Sequence, residues 1–314
     1  MSPEPRVVPV PCQFGQGATV YAYYIDAPQP ALIDTGVAAS PNAAIEPALQ
    51  AIGRSLRDVR WILATHGHWD HIGGAHTARS MAADDVQVLL HADDAQLLRS
   101  RKAHVAPGGY QELRFRYLDD MEALARQDAM LMENLSGELA ADRELRGGER
   151  INLGGDVTLE AVHTPGHSDG SVSFFLPGLD WLFTGDGVQV TGSASGGFPL
   201  YVDPEAYRAT QRRLLDDVRP KRLHMGHKFR LADGAALEPV IDGPSVEAAL
   251  RDSLAMHDRV SEAARNVGSI DLERPNALAL RPAAEALGLP DSPTAWPGAF
   301  FITLHGYLKS AAAA

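Results

Sequence analysis

VRWILATHGHWDHIGG, residues 59–74, runs from a hydrophobic segment straight into a block of three histidines and an aspartate. Its first half has the length and the branched and aromatic content of a buried strand. Residues two apart on extended chain point the same way, so His66 and His68 can converge on one ion, with Gly67 giving backbone freedom between them. Asp70 and His71 then open a helix and face a neighbouring position. A single histidine is ordinarily a satisfied core or surface imidazole. Three histidines and an aspartate packed into residues 66–71 at the end of a strand are not explained that way.

Three more residues extend the pattern. His167 follows the strand-like VTLEAV and a Pro165-Gly166 turn, which would hold the imidazole rigidly. Asp186 follows DWLFTG, where a carboxylate can bridge two cations, and His227 follows RLHMG. Each alone is weak evidence. Their common placement at strand ends before glycine-rich turns supplies enough ligands for two metal ions, and it points to hydrolysis by a metal-activated water.

Around these positions, short apolar runs read as strands: RVVPV, TVYAYYI, ALID, VQVLLH, SVSFFLP and KRLHMGH among them. Helical patterns intervene in ASPNAAIEPALQAIG, GGAHTARSMAADD and DPEAYRATQRRLLDDV, the last with Asp203-Pro204 as its N-cap and first position. Residues from about 92 to 146 read as helix throughout, with methionines at 121, 130 and 132 that usually fill a core. This insertion is expected to form a lid or a homodimer interface. Residues 1–242 are read as a catalytic domain holding the insertion, and 243–314 as a mostly helical segment packed on it, ending in a frayed alanine tail.

The chain of 314 residues can bury a sizeable core, and 45% hydrophobic with 22% charged residues is ordinary for a soluble enzyme. A net charge of −12 argues against a nucleic-acid partner. No apolar run approaches a membrane span. The opening MSPEPRVVPV lacks a secretory pattern and Cys12 is the single cysteine, so a cytoplasmic protein without disulfides is expected. Two divalent ions, two aspartates and a hydroxide would still leave the site at about +1, so a small anion is not repelled.

The THGHWDH block and the later histidine, aspartate and histidine resemble, in order and context, the metallo-β-lactamase fold hydrolases, particularly their glyoxalase-II-like branch. The resemblance spans about residues 31–227. It implies an α/β fold, a four-layer αββα sandwich of two mixed sheets with the site at one edge. It implies that His66, His68 and His167 hold a first metal and Asp70, His71 and His227 a second, with Asp186 and a hydroxide bridging. Zinc is the expected ion, with manganese or iron as alternatives. Water held between two dications ionises near neutral pH instead of near 15.7, worth about 12 kcal/mol. That hydroxide would attack a small ester, thioester or lactone, with Asp70 also a proton carrier and Asp70 and Asp186 the catalytic carboxylates. Glyoxalase-II or acyl-homoserine-lactonase activity, a mononuclear iron oxygenase and a non-catalytic binding protein are the rivals. A bridging carboxylate at position 186 disfavours antibiotic hydrolysis.

Secondary candidates follow. The resemblance implies that Asp34 supports the histidine loop, although Asp34 is equally readable as a turn cap. His163 and His224 read as packed within strands. Trp69 should stand near the site mouth. The glycine-rich GSASGGFPLYVDP after Asp186 suits a substrate loop, with Phe198 and Tyr201 its apolar contacts. Lys228 and Arg230 are placed to pair with a substrate carboxylate or with solvent.

Overall fold

Residues 18–26, ATVYAYYID, bury side chains on both faces of one strand. Val20, Ala22 and Tyr24 pack to one side and Tyr23 and Ile25 to the other, so this strand needs a layer above it and a layer below. The computed structural model, which describes residues 4–313 except Gln16, Gly196 and Ser269, supplies both layers.

Two six-stranded sheets face each other. The first runs in order β1 (Arg6–Phe14), β2 (Ala18–Asp26), β3 (Ala31–Ile33), β4 (Trp61–Leu63), β5 (Gln87–His91) and β6 (Arg143–Leu145). It is antiparallel as far as β3 and parallel from there on. The second holds β7 (Arg150–Asn152), β8 (Thr158–His163), β9 (Val172–Leu176), β10 (Trp181–Gly185), β11 (Arg222–Met225) and β12 (Val240–Asp242). Only β10 and β11 are parallel there. Between the sheets lies one core, with Tyr23, Ile25, Ile33, Leu63 and Leu89 meeting Leu159, Phe174 and Phe183.

Helices cover the outer faces. On the first sheet, residues of α1 (Glu46–Gln50), α2 (Trp69–Ile72) and α3 (Ala75–Met81) close a second core over Leu32, Ile62 and Val88. The segment after β5 contributes α4 (Ala95–Arg99), α5 (Leu113–Leu118) and α6 (Met121–Glu133). α7 (Pro204–Arg213) starts as its sequence requires, the Asp203 carboxylate accepting from the Ala206 N–H at 3.0 Å. Last come α8 (Pro244–Arg265), α9 (Arg281–Ala286) and α10 (Gly298–Ala313). The first turns of α8 place Val246, Ala249 and Leu250 on Leu182 and Leu223 of the second sheet. Its far end joins a separate core with Phe300, Phe301 and Leu304, and Tyr117 of α5 enters the same core.

Three details depart from the sequence reading. The insertion is not helical to residue 146: Asp142 donates its N–H to the Val88 carbonyl, and residues 143–145 pair as β6 with β5. The open edge of β5 recruits a segment that has no strand periodicity of its own. Met121 and Met130 do not fill a core, being 56% and 38% exposed, while Met132 is half-buried. The alanine tail continues α10 to Ala313. Among the described residues no helix is long and apolar enough to cross a membrane.

Candidate metal centre

At one rim of the sandwich, the connections leaving β4, β8, β10 and β11 each bring a polar side chain to the same place. His66 and His68 lie just past β4, and α2 carries Asp70 and His71. His167, Asp186 and His227 follow β8, β10 and β11. The potential ligand atoms of His66, His68 and His167 lie within 4.8 Å of one another, as do those of Asp70, His71 and His227. Asp186 faces both groups: one carboxylate oxygen is 3.6 Å from His167 Nε2, and the other is 3.6 Å from the Nε2 atoms of His71 and His227. All seven residues are thus in one cluster.

Partners behind the rings fix which nitrogen points inward. His71 Nδ1 pairs with Asp34 Oδ2 at 2.8 Å, His227 Nδ1 with the Thr19 carbonyl at 2.7 Å, and His167 Nδ1 with the Leu200 carbonyl at 3.1 Å. Each leaves Nε2 for the centre. Asp34, with a φ of 58°, also accepts from the Thr65 N–H and hydroxyl at 2.8 and 2.9 Å. It therefore caps the turn and orients the ring at once.

The residues fit a divalent metal. His71 Nε2 and Asp186 Oδ1 are buried without a hydrogen-bond partner. His167 Nε2 lies 2.8 Å from His68 Nδ1 and 3.2 Å from His66 Nε2, a convergence of imidazole nitrogens that a cation would satisfy. Gly226 is required at the wall, because a Cβ there would fall 2.6 Å from Asp186 Oδ1 and 2.7 Å from His71 Cε1. Burial, reinforced by neighbouring imidazoles, holds His66 and His68 well below the ordinary histidine value, so both are neutral donors. At His71 burial works the same way, but the carboxylates of Asp34, Asp70 and Asp186 outweigh it and push the ring up to about 10. Surroundings that favour a proton so strongly favour a cation more.

Beyond the cluster opens a cavity of about 650 Å³. Trp69 stands on its wall, edge-on to Phe14 with centroids 5.1 Å apart, and Phe198 lines it while packing on Phe300. Lys228 lines it too, with Nζ 2.8 Å from a Glu238 oxygen. Tyr201 and Arg230 are not among its lining residues. Tyr201 is fully buried and stacked on Tyr207, because its N–H bonds Thr303 and turns it toward the C-terminal core. Arg230 donates to the Gly197 carbonyl at 2.8 Å, holding the loop instead of a ligand.

The remaining histidines are structural in their contacts. His224 stacks on Phe183 with centroids 4.3 Å apart. His163 and His91 stack nearly parallel, at 7°, with Asp93 beside them. Parallel rings keep their nitrogen lone pairs in separate planes, and His163 Nε2 already donates to the Asp169 carbonyl.

Two contributors escaped the sequence reading. Asp94, 4% exposed, accepts from the Gly67 N–H, the Ser168 hydroxyl and the Gly170 N–H at 2.7, 2.8 and 3.1 Å, and so ties the first histidine loop to the His167 loop. Its signal was the same as that of the ligands, a carboxylate just past the buried strand VQVLLH. Tyr110, from the insertion, lines the cavity with its ring 5.1 Å from that of His68; no sequence pattern announces it.

Known proteins resemble this chain to different depths. A hydroxyacylglutathione hydrolase of Anaeromyxobacter dehalogenans is 31% identical over 237 residues, 72% of this chain and 68% of that protein. An acyl-coenzyme A thioesterase of Bos taurus is 29% identical over 192 residues, 58% of this chain and 55% of that protein. The solved structure of a metallo-beta-lactamase family protein from Thermus thermophilus superposes with a TM-score of 0.69 at 23% identity, over 98% of this chain and 94% of that one, and shares the fold. Residues 16–227 match the metallo-beta-lactamase superfamily, and the chain belongs to it.

Proposed function

We propose that this metal-dependent hydrolase is dinuclear and cleaves a small ester, thioester or lactone. One observation carries the dinuclear reading: the two oxygens of Asp186 face different groups of histidines, each at 3.6 Å. His66, His68 and His167 would hold one ion, and Asp70, His71 and His227 the other. Both relatives named above are, by their names, thioester hydrolases, which favours a thioester within the class.

Held by these residues, two dications would supply a hydroxide at neutral pH and would polarise the carbonyl. The chain's own residues set the geometry and the proton balance. Asp34 and the carbonyls of Thr19 and Leu200 keep three imidazoles turned inward. Burial opposes ionisation of Asp70, but His71 and His227 outweigh it and hold the carboxyl well below the usual range. Asp70 thus stays ionised, as a metal ligand must. Trp69 and Tyr110 line the cavity beside the cluster, where their rings would shield the acyl group from water.

Metal analysis combined with turnover tests the reading. Two zinc ions per chain, with hydrolysis of at least one of a thioester, an aryl ester and a lactone, is expected. One iron per chain with dioxygen consumption would overturn it in favour of an oxygenase. A metal-loaded chain that cleaves none of the three would leave a binding protein.

A further inference from the structure

Resting on the hydrolase reading, the structure of the cavity narrows the substrate. We propose that it takes a neutral, apolar acyl group of about six to ten carbons and rejects acyl groups that carry a carboxylate. Six aromatic rings, those of Phe14, Tyr21, Trp69, Tyr110, Phe198 and Phe229, line the space beyond the metal cluster, with neutral hydroxyls and amides between them. Trp69 sits between two of the cluster's residues in sequence, and the Tyr110 ring is 5.1 Å from that of His68. The rings therefore begin next to the atoms that would attack, where the acyl chain must lie. A volume of about 650 Å³ is ample for such a chain.

Charge points the same way. Outside the cluster, Lys228 is the one charged residue lining the cavity among the described residues. Its ammonium is engaged by both oxygens of Glu238 at 2.8 and 2.9 Å. A substrate carboxylate in this space would meet aromatic rings and neutral hydroxyls and amides, without a free cation. The opposing feature is the amino end of α10, since Gly298 and Ala299 also line the cavity and helix amides attract anions.

The two tendencies are separated with thioesters of one neutral thiol, N-acetylcysteamine, assayed on the zinc-loaded full chain. Across acetyl, butanoyl, hexanoyl and octanoyl groups, kcat/KM should rise about fourfold per methylene. Butanoyl should exceed succinyl, its carboxylated counterpart, by about a hundredfold. A flat series, or a preference for succinyl or for S-lactoylglutathione, would overturn the proposal and favour the α10 amides.

Binding of unreactive methyl ketones of matching length, read by tryptophan fluorescence, keeps the two readings apart. Affinity that climbs with length while no thioester is cleaved sinks the hydrolase reading and keeps the apolar cavity. Cleavage without any length dependence does the reverse. Finally, Ala299→Arg places a cation on the wall. It should raise the succinyl-to-butanoyl ratio at least about tenfold with metal content unchanged, and an unchanged ratio would remove this cavity from the acyl path.

Discussion

The metal-bearing rim and the roof above it hold their side chains by different means. On the rim, His71, His167 and His227 each have a partner behind the ring, and Asp34 and Asp94 stitch the ligand loops to one another. The roof is made where the insertion meets α10, through Tyr117 against Phe301 at 5.7 Å, the Tyr117 hydroxyl beside His305 at 3.2 Å, and Arg114 donating to the Thr294 carbonyl. The rim is fixed by polar bonds to sheet ends, and the roof by ring packing with a few peripheral hydrogen bonds. Rim changes should therefore weaken metal binding, and roof changes should alter only what binds.

The largest effect tests the rim directly. His68→Ala removes a donor that converges with His167, and it should cost about a thousandfold or more in turnover and about one of the two metals. Phe198→Leu in the roof should keep the full metal content. Elemental analysis beside kcat decides it, and loss of metal in the roof variant would break the contrast.

Asp94 comes next. Its replacement by alanine strands the buried N–H groups of Gly67 and Gly170, while the Ser168 hydroxyl keeps Ser171 as a partner, so unfolding in urea should become easier by about 3 kcal/mol. Metal affinity should fall about tenfold to a hundredfold, because the loops bearing His66, His68 and His167 lose their tie. A variant with wild-type stability and metal content would show that the sheet ends alone position these loops.

This contrast also explains what could be read from the chain. The rim was legible because each ligand follows a hydrophobic run directly, as in RWILATHGH and DWLFTGD, so local pattern and chemistry coincide. The two-sheet layering followed from alternation such as that in residues 18–26. Strand β6 was illegible because its pairing is imposed by the open edge of β5. The misplacement of Tyr201 has a similar cause: a loop aromatic faces the cavity or the core according to distant partners, here Thr303 and Tyr207. Tyr110 reaches His68 only through the path of the insertion, which no periodicity records.

A histidine three residues before a rim ligand sharpens the comparison further. His224 is buried with both ring nitrogens unpartnered, and burial, with Arg222 adding to it, pushes its value down to about 3 from 6.5. The folded protein keeps it neutral while the unfolded chain takes a proton below about 6.5. Stability is thus complete above that pH and is lost as pH falls toward 3, by up to about 1.4 kcal/mol per unit. His224→Phe, which preserves the stacking on Phe183, should lose about 2–3 kcal/mol less than the wild type between pH 6.5 and 4.5. Denaturation of both proteins in chelator, where the ligand histidines contribute equally, isolates the difference. Parallel acid profiles would mean that His224 finds a partner on protonation.

The smallest expected effect lies at a point where roof and rim touch, the Tyr110 ring against that of His68. Tyr110 is half-buried, its hydroxyl accepts from the Gln111 amide at 2.8 Å, and its ring faces His68. If the ring serves as an apolar wall, Tyr110→Phe should change KM by less than about threefold, because the lost hydroxyl leaves the buried ring area intact. Tyr110→Ala removes that area and should raise KM for an octanoyl thioester about tenfold, with kcat and metal content close to wild type. A fall in kcat for Tyr110→Phe would give the hydroxyl a share in the chemistry and join it functionally to the rim. Loss of metal in Tyr110→Ala would show instead that the roof holds His68 in place. Either result would replace a wall that selects with a wall that acts.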